Sequence, residues 1–158
     1  MKKLIYLLLL LPLAMLGGCH DDDDLPNVDV TVNYDNVVRA DDGTIYVVAG
    51  TNLDIKDLSI KGVGGNAAIV SMEYWWNGGV FAWDPYGPFV VDINTTGMKA
   101  SRNTLTLYLD IAQVDKTLAF GVISVPVVVV ESADDLPAGT EPGAVSVTYN
   151  IGQKSKTN

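Results

Sequence analysis

Residues 103–111 read N-T-L-T-L-Y-L-D-I, with Leu105, Leu107, Leu109 and Ile111 alternating with Thr104, Thr106, Tyr108 and Asp110. In an extended chain successive side chains point to opposite faces, so this spacing gives a strand with one buried face and one wet face. The same period of two returns along the chain. Val28, Val30 and Val32 alternate with Asp29, Thr31 and Asn33; Leu58 and Ile60 alternate with Ser59 and Lys61; Val145, Val147, Tyr149 and Ile151 alternate with Ser146, Thr148 and Asn150. Ile45 to Val48 is a short apolar run between Asp42-Gly43 and Gly50. Leu118 to Val130 is a long one, interrupted by Pro126, which removes a backbone donor and so belongs at an edge or a bulge. No segment keeps a helical period for three turns. Short strands separated by Gly, Pro, Asn and Asp predict an all-β domain, a β-sandwich of antiparallel sheets.

The first residues follow a different rule. Met1-Lys2-Lys3 is basic, and Leu4 to Leu16 is almost unbroken apolar sequence. That run is too short to span a bilayer, which takes about 20 helical residues. A basic start, an apolar stretch of this length and small residues after it describe a secretory signal peptide over residues 1–18. No second apolar stretch long enough to span follows. The chain's formal net charge is −9, and the segment from Cys19 on is more acidic still, because the only charges before it are Lys2 and Lys3. Such a charge repels phosphate backbones, so nucleic acid is excluded as a partner. It equally excludes a basic patch that would hold the protein to anionic lipid.

Cys19 is the chain's only cysteine, whereas exported domains ordinarily carry cysteines in pairs. Leu16-Gly17-Gly18-Cys19 resembles a bacterial lipobox: an aliphatic residue three before the cysteine, then two small ones. The resemblance implies a diacylglycerol on the thiol and cleavage that leaves Cys19 as the new N-terminus. Stable anchoring takes more than one fatty chain, which a multiply acylated cysteine provides. His20-Asp21-Asp22-Asp23-Asp24 resembles the acidic export signal that follows the lipidated cysteine in surface lipoproteins of the Bacteroidetes, with His20 where serine or lysine is more familiar. It implies display on the outer face of the outer membrane, with the lipid as the membrane partner. The same aspartates repel one another and keep a spacer extended. They do not preorganise the several oxygens calcium needs. The expected organisation is a signal peptide at 1–18, a lipidated acidic tether at 19–26, a β-domain at 27–151 and a polar tail at 152–158.

Within the domain, "IVSMEYWWNGG", "PFVVDINTTGM" and "NTLTLYLDI" resemble the C, E and F strands of bacterial immunoglobulin-like modules, over roughly residues 43–130. The resemblance implies an immunoglobulin-like antiparallel β-sandwich, with 27–33 and 143–151 as additional strands at an edge or extending a sheet. The cysteine pair usual in such modules is absent, so packing alone must hold the layers together.

Catalysis finds little purchase. His20, the only histidine, lies beside the lipidation site, which excludes His-based nucleophilic triads and zinc sites built from His and Cys. Glu73, Asp92 and Asp110 fall opposite the apolar positions, on solvent faces, and Asp84 lies nearby; a facing carboxylate pair of the glycosidase kind is not indicated. "GVGG" at 62–65 sits between strands as a turn. No catalytic residue, metal or cofactor is expected. The informative feature is the aromatic density between Tyr74 and Phe89, which holds all three tryptophans. If Val70 and Met72 face inward, Tyr74 and Trp76 continue into the core. Trp75 then shares the outer face with Ser71 and Glu73. An exposed indole offers a large rigid apolar surface suited to a protein or a sugar ring, so Trp75, Trp83 and Tyr86 are the candidate ligand-binding residues. The sequence thus predicts a non-catalytic, lipid-anchored surface module that binds a protein or serves as an envelope component, or alternatively a glycan-binding accessory protein using those aromatics.

Overall fold

The alternation becomes nine strands in a computed structural model that describes residues 24–62, 67–113 and 118–156. Cys19, His20 and Asp21 to Asp23 lie outside the described residues. The strands are β1 (Asp24–Arg39), β2 (Ile45–Val48), β3 (Asn52–Lys61), β4 (Ala67–Trp76), β5 (Gly79–Asp84), β6 (Val91–Asn94), β7 (Ser101–Gln113), β8 (Leu118–Val130) and β9 (Gly143–Ser155). One 3-10 turn, Ala133–Asp135, is the only helical element among the described residues, and none of their helices is long and apolar enough to cross a membrane. The protein is all-β.

Hydrogen bonds join the strands into one mixed sheet in the order β5-β4-β7-β8-β2-β1-β3-β6, with β9 paired to both β1 and β8. The antiparallel expectation holds for every ladder but one. β2 runs parallel to the end of β8, Ile45 to Val48 opposite Val127 to Val130. Pro126 stands just before that ladder, in the stretch of this β8 edge between Phe120, bonded to β9, and Val127, bonded to β2, so a residue without an N–H interrupts no β2–β8 bond. β1, β2 and β9 close the sheet along one side, because β9 bonds β1 along its length and reaches β8 at Ala119 and Phe120.

The inward positions of the strands meet in one core. Val28, Val30, Val32 and Tyr34 come from β1, Leu53 and Ile55 from β3, Met72 and Tyr74 from β4, and Leu105, Leu107, Leu109 and Ile111 from β7. Val125, Val127 and Val129 complete it from β8. Burying each such aliphatic side chain contributes about 1.5–3 kcal/mol before the entropy cost of ordering it. At Gly121 an added Cβ would lie 2.7 Å from Ile151 Cδ1, so the missing side chain lets β9 pack onto β8. The β4–β5 hairpin turns on Asn77-Gly78, with φ of 50° and 82°, the left-handed pair that a type I′ turn requires.

The expected inward set of β4 changes at one residue. A bulge between Ile69 and Ser71 puts Val70 outside, 38% exposed, and Ile69 takes its place against the core. A bulge inserts one unpaired residue and so resets which side chains face in. Residues 27–33 also differ from the edge position that was one expectation for them: they lie between β3 and β9, with Asp29 to Asn33 bonded on both sides. The ladder extends past 27–151 as well, to Asp24 opposite Lys154 and to Ser155 opposite Ala119.

Three tyrosines carry a pH dependence. The Tyr34 and Tyr149 hydroxyls lie 3.1 Å apart, and the Tyr74 hydroxyl donates to Asp84 Oδ2 at 2.9 Å. Burial first, then the neighbouring phenol, raises Tyr34 far above the usual tyrosine range; burial raises Tyr149; burial and the Asp84 carboxylate raise Tyr74. Folded phenols therefore hold their protons more tightly than unfolded ones. Their contribution to stability is complete below about pH 10, the ordinary tyrosine value, and is lost as pH rises above it. Urea unfolding at about pH 8 and about pH 11 should show a lower midpoint at the higher pH, and Tyr34→Phe should shrink the difference. An equal midpoint at both pH values would contradict this.

Candidate functional site

The outward positions of β5, β4, β7 and β8 form rows fixed by register. Trp83 stands opposite Glu73, Glu73 opposite Tyr108, and Tyr108 opposite Val122. One row along, Ser71 faces Asp110, Asp110 faces Phe120, and Phe120 faces Lys154 of β9. On the other side Trp75 is opposite Thr106. Between these rows lies a depression of about 250 Å³, walled by Trp75, Trp83, Tyr108 and Phe120 and carrying Ser71, Glu73, Asp110 and Lys156.

Each polar group in it has a defined partner. Trp75 Nε1–H donates to Glu73 Oε2 at 2.9 Å, and the indole meets Tyr108 edge to face, ring centres 5.3 Å apart at 60°. These two contacts tilt Trp75 so that it is half-buried. Ser71 Oγ–H donates to Asp110 Oδ2 at 2.8 Å, and the Lys156 ammonium pairs with Asp110 Oδ1. Lys156 is held there by the backbone, since its N–H donates to the Leu118 carbonyl at 2.8 Å. Asp110 is thereby neutralised. Glu73 has no cation beside it among the described residues.

Of the three aromatic candidates, the structure brings two together. Trp75 and Trp83 line the depression, and Trp83 is 62% exposed. Trp83 belongs to strand β5. Tyr86 is not among the lining residues. The β4–β5 ladder ends at Asp84, opposite Met72, so Tyr86 has no place in the rows and projects from the following bend, 76% exposed. Glu73 and Asp110 lie outward as the alternation implied. Tyr108, Phe120 and Lys156 were not singled out from the sequence. Tyr108 was legible as an outward residue of its strand, but nothing local distinguished it from Thr106. Lys156 comes from the segment expected to be a tail, and its approach to Asp110 depends on how β9 docks.

The opposite outer face is made differently. Rows Lys61–Asp29–Asn150, Ser59–Thr31–Thr148 and Asp57–Asn33–Ser146 cross β3, β1 and β9. Asn150 Nδ2 donates to Asp29 Oδ1, the Thr31 and Thr148 hydroxyls share a bond, and Ser146 Oγ donates to Asn33 Oδ1, at 2.8, 2.8 and 2.6 Å. These side chains satisfy one another. Beside them Asp54 Oδ2 takes Asn36 Nδ2 and the Lys56 ammonium, each at 2.9 Å, which holds Lys56 above the usual lysine range. Lys56 is the extra residue of a bulge in β3, so it folds back over the buried carboxylate. Among the described residues no group of three or more His, Cys, Asp or Glu side chains is arranged to hold a metal ion. Two further depressions, one beside Asn33 and Ser146 and one beside Arg102 and Glu131, carry no exposed aromatic ring.

The chain matches no known family model, and no curated protein matches it. What fold and site define by themselves is an all-β domain with an aromatic and acidic depression on one sheet face.

The two indoles differ in their structural share. Trp83→Ala should change unfolding free energy by no more than about 0.5 kcal/mol, as an exposed side chain does. Trp75→Ala should cost about 1–3 kcal/mol, because it removes an aromatic pair and a bond to a carboxylate. Urea denaturation of both variants checks this; equal losses would contradict the placement.

Proposed function

We propose that the protein is a non-catalytic, lipid-anchored cell-surface module that docks another protein through the outward face of β5, β4, β7 and β8. The observation that carries this is the contrast of the two outer faces. One is a polar ladder whose side chains bond each other. The other exposes Trp83, Tyr108, Phe120 and Val122, drawn from three strands, around a depression. Clustered aromatics that water solvates poorly are what protein interfaces use as anchors.

For the fold, we infer an immunoglobulin-like β-sandwich. In that fold one layer runs C-F-G with C′ added at its edge, and B and E lie in the other. The pairings β5-β4-β7-β8 and β3-β6 fit this arrangement with β4, β6 and β7 as the strands likened to C, E and F. The parallel β2–β8 ladder fits a first strand that switches layers, and β9 is an addition. The anchor rests on the lipobox at Leu16 to Cys19 and the surface address on His20 to Asp24.

A second reading, glycan binding, is favoured by one observation: Ser71, Glu73 and Asp110 stand beside the Trp75 and Trp83 rings, a polar set able to bond sugar hydroxyls next to a stacking surface.

Cys19→Ala should release the protein from membranes or leave its precursor uncleaved, and unchanged membrane retention would refute the anchor. With a benzoylphenylalanine photo-crosslinker in place of Tyr108, irradiated cells should give a discrete adduct with one protein. The same group in place of Thr148, on the polar ladder, should give none. Adducts from Thr148 alone would place docking elsewhere, and retention on a polysaccharide panel with no adduct would favour the glycan reading.

A further inference from the structure

The depression holds two carboxylates in unlike states. Asp110 already carries an ammonium, that of the chain's own Lys156, whereas among the described residues Glu73 accepts only the neutral indole N–H of Trp75. We infer that the Glu73 end of the depression is a cation-recognition site, which takes the ammonium or guanidinium of a Lys or Arg side chain presented by the docked protein. This rests on the docking reading above and names the chemistry of that partner.

Three features converge on it. Register sets Glu73 between Trp83 and Tyr108, and directly opposed side chains on neighbouring strands have their Cβ atoms about 4.5–5.5 Å apart. A cation brought to the carboxylate therefore lies near an aromatic residue on either side, and a cation over a ring gains from its quadrupole, an attraction that acts within about 6 Å of the ring centre. Trp75 bonds Oε2, and among the described residues no donor takes Oε1, which can accept a further one. Finally, Lys156 shows that this depression receives an ammonium against a carboxylate with Phe120 alongside. A bare metal ion is a poorer match, since it seeks several oxygens and the walls here are aromatic. The net charge of −9 adds a field that draws cationic groups in and repels anionic ones.

The probe is an acetylated and amidated Gly-Lys-Gly-Lys-Gly peptide, with a Gly-Gln-Gly-Gln-Gly peptide as control, titrated against the full mature chain while tryptophan fluorescence is read. The lysine peptide should change the emission saturably. The glutamine peptide should bind about tenfold more weakly, as should the lysine peptide to Glu73→Gln, the scale expected for loss of one charge-assisted bond. Glu73→Gln keeps an oxygen for the Trp75 N–H, so it should fold, which circular dichroism checks. Lys156→Ala, which empties the second carboxylate, should bind the lysine peptide at least as tightly as the parent. Equal affinity for both peptides, or for the parent and Glu73→Gln, would overturn the inference. If that happens while the Tyr108 adduct persists, docking stands and the cation site fails; if the adduct is missing too, both fail.

Discussion

The structure depends on β1, which, like β8, bonds three other strands and supplies the polar ladder. From Asp29 to Tyr34 it has β3 on one edge and β9 on the other, and its last residues take on β2. Its inward residues Val28, Val30, Val32 and Tyr34 are almost wholly buried. The alternate residues form the polar ladder. A strand paired on both edges has its backbone donors and acceptors satisfied without water, and leaving such groups unmet is what a core cannot tolerate. Through β2 and β9 this strand is also the link to β8, and so to the half of the sheet that carries the aromatic face. With no disulfide to tie the halves, hydrogen bonding along β1 and apolar packing across the core do that work together.

A rigid seam on one side has a consequence for the other. The rows of the aromatic face are set by ladder register, and a slip of one residue would turn every side chain to the wrong face. Glu73 meets Trp83 and Tyr108 because β4 is bonded to β5 and to β7 in one register. The depression is thus built on strands rather than loops, which keeps its geometry tight. Among the described residues its only contribution from outside β4, β5, β7 and β8 is Lys156, placed by the end of β9 and bonded through its backbone to Leu118.

Much of the fold was legible because alternation and burial are the same fact seen twice. The positions Leu105, Leu107, Leu109 and Ile111 read as inward and are buried; Trp75 and Glu73 read as outward and line the depression. What escaped the sequence was non-local. Val70 moved outward because of a bulge, which depends on how β4 meets β7. The parallel β2–β8 ladder depends on where β2 goes after its turn at Asp42-Gly43. Of the site, the indoles of Trp75 and Trp83 could be named in advance, since aromatic density is visible in one dimension. Tyr108 and Phe120 could not be separated from other outward residues until register aligned them. Lys156 could not be found at all, because its partner Asp110 lies on another strand and only the docking of β9 joins them. Tyr86 shows the converse: closeness in sequence to Trp83 did not bring it into the rows.

Native-state hydrogen exchange, resolved by residue, tests the role of β1 most directly. Amides bonded on a doubly paired strand should exchange only when the whole domain opens, whereas edges open locally at lower cost. The amides of Val28 to Tyr34 should share the slowest exchange with those of Leu105 to Ile111, and β5 and β6 should exchange faster. If β1 exchanged as fast as β5 while β7 stayed protected, the seam would not be what holds the two halves together, and the account built on it would be wrong.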